Sequence, residues 1–383
     1  MFLHPTVINL SIHYLDGFSL LGAILSSLPT KTPAITDIFI TGSVAIAGDN
    51  TSNAIAMLAE ALPGLTLLRS LTLPIPWFTP AMVDAVASCS SLHKLSTSTL
   101  ADEGANIELF DYDQLYSLSL PSSGFPAISI LSVVLPFPRA AKFISQGSHF
   151  NTLTRFEAQS PDSIVEPHEY KVILSALSKY CPNLETITLC ATVPRGDARE
   201  DDAITYRELS SITQFTALRL VSFRHIMPFQ LDTKNIVAIA RALPNLTTLV
   251  LNPDPHFPTA SPLAVSVLSV LRDLCPNLVS LGLYVNAADE HIPPPPANDD
   301  EHRRALPASA EFTSLKRFAI GWSSLLSPIS LAVYLSSVLP DDCALDPSLN
   351  AKHWDEVRRL IPVFKQVRAQ GVRTGRITCD HSD

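Results

Sequence analysis

Cys181-Pro-Asn-Leu-Glu-Thr-Ile-Thr-Leu189 places Leu184, Ile187 and Leu189 in the order apolar-x-x-apolar-x-apolar. Ile187 and Leu189 alternate with polar residues, the period of a half-buried strand, and the proline ahead of them stops any helix that comes before. Asn183 tolerates the turn between the two. The same Pro-Asn-Leu opening returns at 244–246 and 276–278, ahead of Leu246/Leu249/Leu251 and Leu278/Leu281/Leu283. One tripeptide in one position of one pattern, three times over, is an internal repeat.

The pattern extends outward in both directions. It appears as Val7/Leu10/Ile12, Ile35/Ile38/Ile40, Leu68/Leu71/Leu73 and, with a threonine in the last place, Leu92/Leu95/Thr97. Further along come Leu153/Phe156/Ala158, Leu218/Val221/Phe223 and Leu315/Phe318/Ile320. From Phe156 onward the central residues lie at 156, 187, 221, 249, 281 and 318, in steps of 31, 34, 28, 32 and 37. The stretches between carry helical spacing. Asp232 can cap a helix whose apolar face is Ile236, Ile239, Ala240 and Leu243, and Ile204–Phe215 and Leu263–Leu274 repeat the theme. Each unit thus reads as a short strand, a variable loop and an α-helix.

One strand with one helix cannot bury both apolar faces, and stacking the units in register does. The steps are somewhat longer than the roughly 20–29 residues of an ordinary leucine-rich repeat, and the loop and full α-helix between strands account for the extra length. The expected fold is α/β, a leucine-rich-repeat solenoid shaped as a horseshoe, with a parallel sheet on the concave face and helices on the convex face. The repeats span 1–345 in about eleven units, and 346–383 form a C-terminal capping helix and tail. In that helix Trp354, Val357, Leu360, Ile361, Phe364 and Val367 make one apolar stripe. Its seven Lys and Arg between Lys352 and Arg376 read as a solvated basic face.

Two places break the rhythm. Leu115/Leu118/Leu120 and Ile128/Leu131/Val133 both fit the template with centres 13 residues apart, so both cannot be complete repeats. The second is taken as the main strand, because Pro138–Ser145 after it has helical spacing. The 97–135 stretch is therefore irregular. A second break is the insertion at 287–308, with Pro293-Pro-Pro-Pro296 and Asp299-Asp-Glu301, read as an extended exposed loop.

Composition narrows the function classes. The chain has 383 residues, 46% hydrophobic and 16% charged, which supports a folded protein, and its net charge of -9 disfavours nucleic acid as a partner. It has neither a signal-peptide pattern nor a continuous apolar span, so an intracellular protein without a membrane role is expected, cytoplasmic or nuclear. The six cysteines are scattered, and Cys89, Cys181 and Cys275 each stand three residues ahead of the first strand leucine, as small buried residues at a helix end. No His-Glu-x-x-His pair, Gly-x-Ser-x-Gly elbow or glycine-rich phosphate loop occurs. Asp111-Tyr-Asp113 is a weak carboxylate pair in the irregular region. No catalytic residue, metal ligand or cofactor site is assigned.

Binding has better support. Residues between the strand leucines face the concave side. They include Ser70, Thr72, Thr186, Thr188, Ser222, Thr248 and Ser280, and four larger candidates for protein contact: Arg224, Asn252, Tyr284 and Arg317.

The repeats Cys181–Leu189 and Cys275–Leu283 resemble those of F-box proteins. The C-terminal block Ser327-Pro-Ile-Ser-Leu-Ala-Val-Tyr-Leu-Ser-Ser-Val-Leu-Pro340, followed by Trp354-Asp-Glu-Val-Arg-Arg-Leu-Ile-Pro-Val-Phe364, is similar to the ends of F-box-like proteins of mushroom-forming fungi. That resemblance implies a substrate receptor of a cullin ubiquitin ligase, whose repeats select an unknown target protein. No Leu-Pro-x-Glu opening precedes the repeats here, so docking to a Skp1-type adaptor is expected only with an F-box upstream. The alternatives are a free-standing scaffold or inhibitor, and a hydrolase with its site in the 97–135 region.

Overall fold

The computed structural model describes residues 3–14, 20–42, 49–98, 125–146, 150–161, 165–191, 203–288, 292–293, 311–347 and 352–379. Its main sheet has twelve strands, each beside the next in chain order. They are β1 (Asn9–Tyr14), β2 (Asp37–Gly42), β3 (Ser70–Pro74), β4 (Lys94–Ser98), β5 (Ile130–Val134), β6 (Arg155–Gln159), β7 (Thr186–Ala191), β8 (Leu220–His225), β9 (Thr248–Leu251), β10 (Ser280–Leu283), β12 (Arg317–Gly321) and β14 (Ala344–Pro347). Two short strands, β11 (Asn286–Ala287) and β13 (Ser324–Leu325), pair parallel by themselves. Helices α1 (Leu21–Ser26), α2 (Leu28–Lys31), α3 (Asp49–Ala61), α4 (Pro80–Ala87), α5 (Phe137–Gln146) and α6 (Pro167–Tyr180) connect the first strands. They are followed by α7 (Tyr206–Leu209), α8 (Thr233–Ala242), α9 (Val267–Leu274), α10 (Pro328–Val338) and α11 (Lys352–Cys379). An open sheet of parallel strands in sequence order, with helical connections, is the α/β leucine-rich-repeat solenoid.

Contacts divide the chain into two compact units, Met1–Asp162 with His168–Leu189, and Ser163–Pro167 with Cys190–Asp383. In the first unit Leu10, Ile38, Leu71, Leu95, Leu131 and Phe156 are register partners from strand to strand, all nearly or wholly buried. In the second, Val221, Leu249, Leu281, Phe318 and Leu345 are the equivalent row. Each such side chain, once buried, contributes about 1.5–3 kcal/mol through its removed apolar surface. Ile128/Leu131/Val133 is the strand that joins β4 to β6. The competing Leu115 triplet and Asp111/Asp113 lie outside the described residues, as does most of the Pro-rich insertion.

A second ladder runs just before the strands. The carbonyl of Ile8 accepts the N–H groups of both Thr36 and Asp37 (2.8 and 3.1 Å), and Thr36 O accepts those of Arg69 and Ser70 (2.7 and 3.0 Å). The same double acceptance recurs at Arg69, His93 and Ser129, and in the second unit at Arg219, Thr247 and Val279. It uses both lone pairs of each carbonyl. Hydroxyls reinforce it: Thr36 donates to Ile8 O, Ser129 to His93 O, Thr154 to Ser129 O and Thr247 to Arg219 O, at 3.0–3.2 Å. The Asn183 amide likewise donates to Asn151 O of the preceding repeat at 2.8 Å. Asn183 is thus a clamp between repeats as well as a turn former.

Helix starts follow local chemistry. Asp232 accepts from Asn235 N–H while the Asn235 side chain accepts from Asp232 N–H, a reciprocal cap on α8. Thr79 and Ser327 cap α4 and α10, each ahead of a proline at the first helical position. Three expectations need correction. The 204–215 stretch is one α-turn followed by a 3-10 turn over Ser210–Gln214, because the Ser210 and Thr213 hydroxyls bond back to Arg207 O and Ser210 O and compete with the helical ladder. Helix α9 starts at Val267, later than Leu263, because Leu263 and Val265 bond to Asn286 instead. The basic residues of α11 are not simply solvated. Arg368 Nη1 donates to Ser336 O and Lys365 Nζ to Leu339 O, both at 2.6 Å, so two cations neutralise the open carbonyls at the end of α10.

Helix α11 secures itself through its first turns. Trp354 and Val357 are buried, and the indole N–H donates to Ser323 O at 3.2 Å. Past them the stripe leaves the core: Leu360, Ile361 and Phe364 are half-buried, and Val363 and Val367 are exposed.

Candidate functional site

The side chains between the strand leucines form rows across the exposed sheet face, because the strands pair in parallel register, from β1 to β6 in the first unit and from β8 to β12 in the second, with a shift only late in the pairing of β12 with β14. In the second unit one row is Leu220, Thr248, Ser280, Arg317 and Ala344. The next is Ser222, Val250, Gly282, Ala319 and Asp346. Ser222, Thr248, Val250, Ser280 and Ala319 are half-buried, while Arg224, Arg317 and Asp346 stand exposed. The middle row is small, and a Cβ on Gly282 would meet Val250 Cγ1 at 3.0 Å, so no larger residue fits without a shift of its neighbour.

Of the four larger candidates, two stay on this surface. Arg317 Nε donates to Asp346 Oδ2 at 3.1 Å across neighbouring strands, and Nη2 reaches the same oxygen. Arg224 sits beside Asp254, whose carboxyl is pushed above its usual value mainly by burial and raised further by Asp346, with the guanidinium opposing. Lys316 pairs with Asp342, and that hydrogen bond holds the Asp342 carboxyl below the usual carboxylate range. The face therefore carries paired rather than bare charge. Asp254 and Asp346 were not foreseen, since the strand template ends before them.

Asn252 and Tyr284 do otherwise. Asn252 is 1% exposed, with φ at 48°; its Oδ1 accepts from His225 N–H at 3.2 Å and its Nδ2 donates to Met227 O at 2.6 Å. Tyr284 is 8% exposed and its hydroxyl donates to Thr259 O at 2.7 Å. Each follows the last strand leucine, where alternation would point it outward, but the chain turns there and the side chain serves the turn. Burial raises the Tyr284 hydroxyl's pKa accordingly.

His225, fully buried, completes this polar cluster. Its Nδ1 lies 3.1 Å from Met227 N–H and its Nε2 3.1 Å from Val165 O. A backbone N–H only donates, so Nδ1 is the acceptor and Nε2 carries the proton. No free valence is left for catalysis.

In the first unit the rows are Asn9, Asp37, Ser70, Lys94, Ile130, Arg155 and Ser11, Phe39, Thr72, Ser96, Ser132, Glu157. Phe39 is exposed and meets the His13 ring edge-on at 6.0 Å. Arg155 and Glu157 pair at 2.9 Å.

Burial lifts the thiols of Cys89 and Cys275 to about 11 and that of Cys181 to about 12, so all three are poor nucleophiles at neutral pH. A groove of about 1020 Å³ lies between α11 and the turn leading to β14, lined by Leu339, Asp341, Cys343, Ile361 and Lys365 among others. Its lysine is held by Leu339 O and Asp341, and burial lifts the Cys343 thiol to about 11. Among the described residues, no three His, Cys, Asp or Glu side chains are grouped to hold a metal ion, and no helix is long and apolar enough to cross a membrane.

No family model matches the chain, and no curated protein does. Among solved structures the chain is similar to one of a yeast Rad7–Elc1 complex, with 12% identity over 90% of this chain and 81% of that one, at a TM-score of 0.41. It is similar also to a chain in a TLR13–ssRNA13 complex, again 12% identical over 90% of this chain, with a TM-score of 0.39. Against that second structure the chain spans about half the length, 47%.

Proposed function

We propose that the chain is a non-enzymatic protein-interaction module whose exposed sheet face selects a partner protein inside the cell. The observation that carries this reading is the face of the second unit: registered rows of small and hydroxyl side chains between the exposed Arg317/Asp346 pair and Arg224 beside Asp254. A rigid, shallow floor with paired charges offers shape and directional hydrogen bonds to a protein surface. Arg224 and Arg317 are its anchors, and Asn252 and Tyr284 hold the turns beneath them. The finer reading follows the resemblance of the repeats and C-terminal block to F-box proteins: the partner is a target presented for ubiquitin transfer, with a Skp1-type adaptor engaged through an F-box outside this sequence.

Quantitative affinity capture with the wild type and an Arg224→Glu/Arg317→Glu variant tests it. Partners that depend on the face drop at least about tenfold in the variant, while its melting temperature stays unchanged. An identical captured set overturns the reading. Ubiquitin-ligase subunits in the wild-type set support the receptor role, and their absence beside a retained face-dependent partner leaves a plain scaffold.

A further inference from the structure

Helix α11 carries two stripes where the sequence shows one. Trp354, Val357, Ile361, Lys365 and Arg368 follow one another at steps of three and four residues, so they share a side of the helix. That side faces the body: Trp354 and Val357 are buried, and Lys365 and Arg368 bond to the end of α10. Leu360, Val363, Phe364 and Val367 fall at i, i+3, i+4 and i+7, on another side. Val363 is 50% exposed and Val367 59%, with Leu360 and Phe364 half-buried beside them.

Helix formation does not account for this outer stripe. Valine is a weaker helix former than the lysine, glutamate or glutamine usual at exposed positions. A run of neighbouring apolar side chains left toward water marks a contact surface. The spacing of these four is that of the anchors by which an amphipathic helix lies in an apolar groove of another protein.

Charge selects the occupant. From Lys352 to Cys379 the helix has seven Lys or Arg against Asp355 and Glu356, whereas the whole chain has 27 against 36. Both acids stand near the helix N-terminus, where its dipole favours them. Arg359 is exposed four residues ahead of Val363, with exposed Arg358 beside it. Two copies of α11 laid together would oppose like charges. An anionic membrane would repel the acidic remainder of the chain, and Lys365 and Arg368 are already turned to α10. We propose that the outer stripe of α11 docks in an acid-rimmed apolar groove of a second partner protein, at a contact separate from the sheet face.

A photo-reactive amino acid at Gln366, exposed beside the stripe, tests the contact in the full chain. Irradiation in cell extract captures the partner, which is then purified and titrated against the wild type. Val363→Asp/Val367→Asp is expected to weaken that binding at least about tenfold. Its melting temperature stays at the wild-type value, because neither valine is buried. Added salt weakens the wild-type complex, as an acidic rim requires. The proposal is overturned by the absence of a cross-link from position 366, or by a captured protein that binds the double variant like the wild type. Binding that salt leaves unchanged overturns it as well. Stripe-dependent flotation with phosphatidylcholine–phosphatidylserine vesicles assigns the stripe to lipid instead, and stripe-dependent self-association in sedimentation velocity assigns it to a second copy; either result overturns the proposal.

Discussion

Asn252 holds a left-handed backbone and two buried hydrogen bonds at once, to His225 N–H and Met227 O. Asparagine is one of the few side chains that accept this conformation readily. Asn252→Ala loses the bonds and strains the turn, so it should cost about 2–4 kcal/mol in urea unfolding. Asn252→Gly relieves the backbone but not the orphaned groups, and should fall between alanine and wild type. The cysteines give a pH signature. Cys181 is raised from its ordinary 9.0 to about 12 in the folded chain, so the folded state holds that proton more tightly than the unfolded one. The stability it contributes is complete below pH 9 and is lost as the pH climbs from 9 toward 12. Relative to Cys181→Ala, the wild type should lose on the order of 1 kcal/mol per pH unit across that window in urea midpoints. The recurring position of Cys89, Cys181 and Cys275 made their structural role legible from sequence. The inward turn of Asn252 and Tyr284 was not, because alternation says nothing about where a strand ends.

Among the elements, the strands were plain in the sequence because their period is short and one face is apolar. Helix limits were less so. Helix α9 loses its expected first turn to backbone bonds with Asn286, a partner too far along the chain for any local pattern to reveal. The 3-10 turn after α7 comes from hydroxyls competing for carbonyls. Helix α11 shows how an apolar stripe can mislead, since only Trp354 and Val357 are buried and later residues of the stripe run out into solvent. Its cations act across elements instead. Arg368→Ala should destabilise the chain by about 1–2 kcal/mol, because Ser336 O at the end of α10 loses the guanidinium donor, and the residue four further on is Pro340, which has no N–H to replace it. Arg359→Ala, whose bond is to Asp355 O within its own helix, should stay within about 0.5 kcal/mol. Chemical denaturation of the two variants in parallel checks the contrast.

At the scale of the whole molecule, the repeats dictate the fold and the fold lays out the surface. In the second unit sequential parallel strands keep Val221, Leu249, Leu281 and Phe318 in register, and the same register lines up Thr248, Ser280 and Arg317 on the opposite face. Arg224 and Arg317 were legible as surface residues because strand alternation holds along β8 and over Arg317–Ile320 in β12. Their acidic neighbours were not, because Asp254 lies in a loop and Asp346 in a strand with little sequence signature. The central claim is that the partner lies on this face and not on the helices. A photo-reactive amino acid at Thr248, on the exposed face of β9, and another at Lys234, on the outside of α8, separate the two by cross-linking mass spectrometry. Partner cross-links from position 248 and none from 234 are the predicted result. Cross-links from 234 with none from 248 would contradict the account.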